Sequence, residues 1–159
     1  MRFKLKPKKD VVIFDLDGTL ALIDKRRELA TKENGKINWK IFHDPKNIKL
    51  DVPNIPVVRM AQIFSESSLL IVIFSGRSDT TEAATRSWLD DNDVPHDSLI
   101  MRPHRTRAFT PDEVLKKGML DDAPFDAEDV MMVIDDRQKV VDMWRGLGMT
   151  CAQVAPGDF

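Results

Sequence analysis

Val11-Val12-Ile13-Phe14 is an unbroken apolar run that ends abruptly in Asp15-Leu16-Asp17-Gly18-Thr19. A run with no polar residue to face water predicts a strand covered on both sides, and so a sheet flanked by helices. In such sheets ligands gather at the carboxyl ends of the strands, so a carboxylate pair there marks a candidate reaction centre. Asp15 and Asp17 are two apart and share a side if the strand continues. Gly18 permits a tight turn that would aim backbone N–H groups at an anion. One reading is a metal held by carboxylates beside a phosphate. The same short motif also fits a phosphoacceptor pocket, a nuclease or glycosyltransferase metal site, or a plain turn.

The pattern recurs. Leu69-Leu70-Ile71-Val72-Ile73-Phe74 and Val130-Met131-Met132-Val133-Ile134 are continuous apolar runs, and residues 98–101 and 151–154 are shorter strand candidates. Helical spacing lies between them, at Val57, Met60, Ala61 and Phe64, at Thr81, Ala84, Thr85 and Trp88, and at Val140, Met143, Trp144 and Leu147. Gly148 follows as a C-terminal cap. This alternation predicts an α/β chain with a Rossmann-like parallel sheet of about five strands and helices on both faces. With 159 residues, the expectation is one domain over residues 1–159. Residues 20–54 break the rhythm, charged from Asp24 to Glu28, irregular at Asn34-Gly35-Lys36 and rich in proline towards the end. They are expected to form a small insertion above the first strand's carboxyl end, a minimal cap that leaves the site open.

Each long strand ends in chemically capable residues. Ser75-Gly76-Arg77 offers a hydroxyl and, at an expected helix N-terminus, backbone donors for phosphate oxygens. Asp135-Asp136-Arg137 supplies a second pair of hard oxygen ligands suited to Mg²⁺. Lys116-Lys117, on a helix expected from Pro111, carries charge that can neutralise phosphate. Taken singly, these are a strand-to-helix turn, a helix cap and two surface lysines. Three polar clusters at the strand ends of one sheet are much harder to dismiss together.

In this order and spacing the motifs resemble those of the haloacid dehalogenase-like phosphohydrolases. The segments Ile134-Asp135-Asp136-Arg137, Val140-Val141, Met143-Trp144-Arg145, Gly148, Gln153-Val154-Ala155 and Gly157-Asp158-Phe159 are similar to the 3′-phosphatase domain of bacteriophage polynucleotide kinase-phosphatase, as is Arg26. The resemblance implies an aspartyl-phosphate mechanism. Asp15 would be the nucleophile and Asp17 the general acid and then base, with Lys116, chosen over Lys117, as the charge-neutralising lysine. Mg²⁺ would be held by Asp15, the Asp17 carbonyl, Asp135 and Asp136. Substrate phosphate would meet Thr19, Ser75, Gly76, Arg77, Arg26 and Arg137, the three arginines at the rim. The kinase half of that enzyme has no counterpart: no Gly-x-x-x-x-Gly-Lys-Ser/Thr occurs and no room for it precedes Asp15, so 5′-kinase activity is not expected.

The implied substrate is a nucleic-acid 3′ end or a nucleotide. A 5′-nucleotidase for free mononucleotides and a non-catalytic phosphate-binding module are the alternatives. A formal net charge of −2 supplies no global field for nucleic acid, so local patches must. Arg102-Pro103-His104-Arg105-Thr106-Arg107 is one such patch or an ordinary surface turn. Trp39 has two readings, a base-stacking platform and, by default, packing, whereas Trp88 and Trp144 are expected in the core. A single cysteine, Cys151, excludes an intramolecular disulfide and fits a reducing compartment. No apolar run reaches the ~20 residues of a membrane span, and the basic start lacks a signal peptide's apolar stretch. The expectation is a cytoplasmic protein (in the host's cytoplasm, if phage-encoded), with no membrane partner, as a monomer or weak homodimer.

Overall fold

A computed structural model describes residues 8–107 and 109–157. The basic start at residues 1–7, and Asp158 and Phe159 of the terminal resemblance, lie outside the described residues. Five parallel strands form the main sheet in the order β5-β4-β1-β6-β7. They are β1 (Val11–Asp15), β4 (Leu70–Ser78), β5 (Ser98–Arg102), β6 (Val130–Asp135) and β7 (Cys151–Gln153). The chain is therefore α/β with a Rossmann-like sheet. β1 lies at its centre, and all five of its residues are buried.

Strand alternation assigns the faces. Val12 and Phe14 of β1, with Ile71 and Ile73 of β4, pack against α3 (Ile55–Glu66) and α4 (Glu82–Asp91) through Val57, Val58, Ala61, Trp88 and Leu89. Val11 and Ile13, with Val72 and Phe74, face α5 (Asp112–Asp121) and α6 (Gln138–Gly146) through Leu115, Met119, Val140, Val141 and Trp144. Gly148 takes φ +78° directly after the α6 cap residue, as a C-terminal glycine should.

Residues 20–54 are more ordered than their composition predicts. They hold β2 (Ala21–Leu22), α1 (Asp24–Ala30), α2 (Trp39–Phe42), a 3₁₀ turn (Pro45–Leu50) and β3 (Val52–Pro53). β2 and β3 pair antiparallel, and Asn54 donates both its N–H and its side-chain amide to the carbonyls of Leu20 and Thr19. The insertion is thus tied at both ends to the loop that carries Asp17. No described helix is long and apolar enough to cross a membrane.

Candidate active site

Parity explains why the site forms where it does. Asp15 continues the Val11-Ile13 face and so points toward α5 and α6, as does Asp135 after Val133. Lys116 on α5 meets both. Its ammonium donates to Asp15 Oδ1 at 2.5 Å and to Asp135 Oδ2 at 3.0 Å, and lies 3.4 Å from Asp112 Oδ2. Lys116 is 1% exposed. Lys117 points outward to Asp121. Trp144 on α6 donates its indole N–H to Asp135 Oδ2, and the Asp136 N–H caps Asp135 Oδ1.

Asp15, Asp135 and Asp136 each offer an oxygen within 4.8 Å of the others. Burial and the neighbouring Asp135 push the Asp136 carboxyl up. Burial, opposed by Lys116 but reinforced by Asp135 and Asp136, holds Asp15 well above the usual carboxylate range. Burial works against the Lys116 charge, yet Asp15, Asp135 and Asp112 outweigh it and keep the lysine firmly protonated. One ammonium thus faces an excess of carboxylates. Asp136 Oδ2 is buried with no hydrogen-bond partner among the described residues. An orphaned buried oxygen in a cluster of hard oxygens fits a divalent cation.

Asp17 turns the other way. Its Oδ1 accepts from Arg26 Nη2 at 2.9 Å and from Arg77 Nε and Nη2 at 2.9 and 2.5 Å. The same two guanidiniums clamp Asp51, through Arg26 Nε at 2.9 Å and Arg77 Nη2 at 2.7 Å. Burial opposes ionisation of Asp17, but Arg77 and Arg26 prevail and lower its pKa to about 2. At Asp51 burial dominates over the same arginines and raises the pKa to about 6.

Several expectations need correction. Arg26 and Arg77 are not at the rim; at 1% and 3% exposed they hold Asp17 and Asp51, and their donors go to carboxylates, the Phe42 carbonyl and Thr85. Parity places Arg77 there, because it follows Ile71, Ile73 and Ser75 onto the face toward α4. Thr19 is wholly buried, with its hydroxyl 2.8 Å from Asp15 Oδ2 and 3.3 Å from Asp136 Oδ1, so it braces the carboxylates and does not face a phosphate. The carboxylate of Asp17 is outside the three-carboxylate cluster, which leaves only its carbonyl as the expected ligand. Gly18 takes φ +87° as predicted, yet the N–H groups of Gly18 and Thr19 close the turn onto Ala21 and Leu16 and are not aimed at an anion.

Ser75-Gly76-Arg77 belongs to β4 and not to a helix start; a 3₁₀ turn begins at Asp79 and α4 only at Glu82. Ser75 is 1% exposed and accepts from the Arg77 N–H. Gly76 faces α5, where a Cβ would sit 2.8 Å from Asp112 Oδ1. Arg137, half-buried, follows Asp135-Asp136 and stands at the N-cap position of α6 without a side-chain capping hydrogen bond. His104 is tied to Asp79 at 3.0 Å. Trp88 and Trp144 are core, at 4% and 0% exposed, whereas Trp39 is 61% exposed and not packed away.

Sequence reading missed Asp51. It lies between two prolines in the insertion, and nothing local sets it apart from a loop aspartate. Asp112 was also unassigned, and its spacing four residues before Lys116 was the available signal.

Comparison with known proteins places this geometry in a family. Residues 9–159 match the family described as the polynucleotide kinase PNKP phosphatase domain. A protein of Autographa californica nuclear polyhedrosis virus, named as a bifunctional polynucleotide kinase/RNA ligase, is 30% identical over 139 residues, covering 86% of this chain and 18% of its own. Two structures of the Pnkp1/Rnl/Hen1 complex, the second described as an RNA repair complex, match at 29% and 30% identity with TM-scores of 0.74 and 0.75. Each covers 94% of this chain, which spans 47% and 43% of theirs. A phosphatase-class structure from Clostridium difficile shares the fold at 11% identity and a TM-score of 0.62. The chain spans less than half of the Pnkp1 chains and about a fifth of the viral relative. It is a haloacid dehalogenase-like phosphomonoesterase and belongs to the phosphatase-domain family of the polynucleotide kinase-phosphatases.

Proposed function

We propose that this chain removes 3′-phosphates from nucleic-acid ends or nucleotides in a Mg²⁺-dependent reaction through an aspartyl-phosphate on Asp15. The observation that carries the reading is the Asp15 carboxylate, fixed between Lys116 and Thr19 at the end of the central strand and flanked by Asp135 and Asp136. Family membership and the likeness to Pnkp1 in an RNA repair complex support a nucleic-acid substrate.

Asp15 attacks phosphorus in line, forming an O–P bond while the bond to the leaving 3′-oxygen breaks. Attack by an anion on a phosphate dianion meets like-charge repulsion. Lys116 at Asp15 and the hydroxyl of Ser75 offset it and stabilise the charge that spreads over the equatorial oxygens. Asp15, Asp135, Asp136 and the Asp17 carbonyl would hold Mg²⁺, which when bound supplies Lewis-acid neutralisation of phosphate charge.

Asp17 gives its proton to the leaving oxygen and then takes one from the water that cleaves the aspartyl-phosphate. With its pKa near 2 it is ionised in the free protein. A phosphate dianion bound beside Asp17 would oppose Arg26 and Arg77 and raise that pKa, which favours a proton on Asp17 in the substrate complex over the free protein.

Phosphate release from matched oligonucleotides bearing a 3′- or a 5′-phosphate, and from 3′- and 5′-mononucleotides, tests the reading in Mg²⁺ and in EDTA. Metal-dependent release mainly from 3′-phosphorylated oligonucleotides is expected. Release confined to 5′-mononucleotides would make the chain a nucleotidase. No release from any substrate, para-nitrophenyl phosphate included, would leave a phosphate-binding module.

A further inference from the structure

The insertion differs in charge from the rest of the chain. Residues 31–50 carry Lys32, Lys36, Lys40, Lys46 and Lys49, all exposed, against only Glu33 and Asp44, in a chain whose formal net charge is −2. Amid these lysines stands Trp39, 61% exposed at the start of α2. A tryptophan needed for packing would bury most of its ring; this one leaves most of it to water.

Its position is nonetheless fixed. The Trp39 ring stacks on His43 with centroids 5.6 Å apart and planes 20° apart, and meets Phe42 edge-on at 5.6 Å. Phe42 is buried and carries the Arg26 guanidinium 4.5 Å over its ring. Arg26 in turn donates to Asp17. A continuous file of contacts therefore runs from the reaction centre to an exposed aromatic face. Partial burial and the nearby Arg26 charge hold the His43 pKa below its ordinary value, so the ring beneath Trp39 is a neutral aromatic at neutral pH.

We propose that Trp39 and the exposed lysines nearest it in sequence, Lys36 and Lys40, form a single-strand binding strip, in which Trp39 stacks on a nucleobase of the strand whose 3′-phosphate lies at Asp15 and the lysines meet its backbone. An exposed, pre-positioned aromatic face among cations is how sequence-tolerant binding of single strands is built, and preorganisation lowers the entropy lost on binding. Such a strip would let a chain with no net positive charge select a polymer over a small phosphate ester. It rests on the phosphatase reading above and deepens it.

The test is the ratio of kcat/KM for a short 3′-phosphorylated oligothymidylate to that for para-nitrophenyl phosphate. Trp39→Ala is expected to lower that ratio by roughly tenfold, the size of one lost base-stacking contact, chiefly through KM, while Trp39→Phe retains most of it. Removing the stacked base from the oligonucleotide should lower the wild-type ratio by a similar factor and leave Trp39→Ala unaffected. Lys36→Gln and Lys40→Gln should flatten the salt dependence of the oligonucleotide KM. An unchanged ratio in Trp39→Ala, with both substrates turned over, overturns the strip and leaves the phosphatase standing. Should wild type hydrolyse para-nitrophenyl phosphate but no 3′-phosphorylated oligonucleotide, the substrate reading fails instead. Tryptophan fluorescence then decides the strip: quenching by unphosphorylated oligothymidylate in wild type but not in Trp39→Phe supports it, and its absence refutes it.

Discussion

At the scale of single residues, the site separates two aspartates that a sequence shows as a pair. Asp15 sits among carboxylates and a lysine, and Asp17 among arginines, because the chain turns between them at Leu16. Asp15→Asn keeps the shape and the hydrogen bond from Thr19 but removes the proposed nucleophile. We expect phosphate release to fall at least a thousandfold with an unchanged circular-dichroism spectrum; an active Asp15→Asn protein, checked for deamidation, would overturn the covalent mechanism. Asp51 carries a pH prediction. Its folded pKa of about 6 lies above the unfolded value near 3.8, so its contribution to stability is fully present below pH 3.8 and is lost as pH rises through 6. Asp51→Asn mimics the protonated acid. The stability difference between wild type and Asp51→Asn should therefore shift in the variant's favour by up to about 3 kcal/mol between pH 4 and pH 7 in denaturant titrations. A difference that moves the opposite way with pH would show that Arg26 and Arg77 dominate over burial at this carboxyl. Residues of this kind were illegible in the sequence. An arginine's burial depends on carboxylates far along the chain, as Arg77 and Asp51 show, whereas Asp15, Asp135 and Asp136 could be singled out because each follows a readable apolar run; the choice of Lys116 over Lys117 rests on the family resemblance and not on any local pattern.

At the scale of elements, strand parity decides which helix each functional residue meets. Continuous apolar runs gave β1, β4 and β6 away, and 3.6-residue spacing revealed α3, α4 and α6. Where β4 ends did not follow from hydrophobicity, because Ser75 to Ser78 remain extended through a register irregularity with β5 and not through any apolar pattern. Nor did β2 and β3, too short for a period, with Pro53 in the second. Helix α6 shows how an element serves packing and chemistry at once. Trp144 lies fully buried against Phe74, ring centroids 6.1 Å apart, and its N–H ends on Asp135 Oδ2 at 3.3 Å. Trp144→Phe keeps an aromatic ring but takes the hydrogen bond from a charged acceptor and leaves a gap. The expected loss is about 2–3 kcal/mol of unfolding free energy together with a slower enzyme. Loss of stability at full activity would mean that Asp135 needs no anchor from α6. The C-terminal segment carries a parallel constraint on the loop after β6. A Cβ on Gly157 would lie 2.3 Å from the Asp136 carbonyl oxygen, so Gly157→Ala must displace the loop bearing Asp136, and activity should fall more than the melting temperature does.

At the scale of the whole molecule, the central question is how a fold tolerates so much buried negative charge at its middle strand. Asp15, Asp135 and Asp112 surround one ammonium, with Asp136 beside the first two, and the raised pKa values of Asp15 and Asp136 register the imbalance. Repulsion of this sort destabilises the folded state without a cation and, in the proposed Mg²⁺ site, would create affinity for one, since only the folded chain gathers the carboxylates. Mg²⁺ at a hundred times its dissociation constant should then add roughly 3 kcal/mol, several degrees of melting temperature for a domain of this size, and EDTA should reverse it. Asp136→Asn separates this cause from a general salt effect, because it removes one like charge and one ligand together. Without Mg²⁺ the variant should melt at or above the wild type, since repulsion with Asp135 is relieved; with Mg²⁺ it should melt below, since the orphaned Oδ2 is gone. Opposite signs in the two conditions are the expected signature. The same Mg²⁺-induced shift in both proteins would remove Asp136 from the ligand set and require the carboxylate excess to be balanced another way.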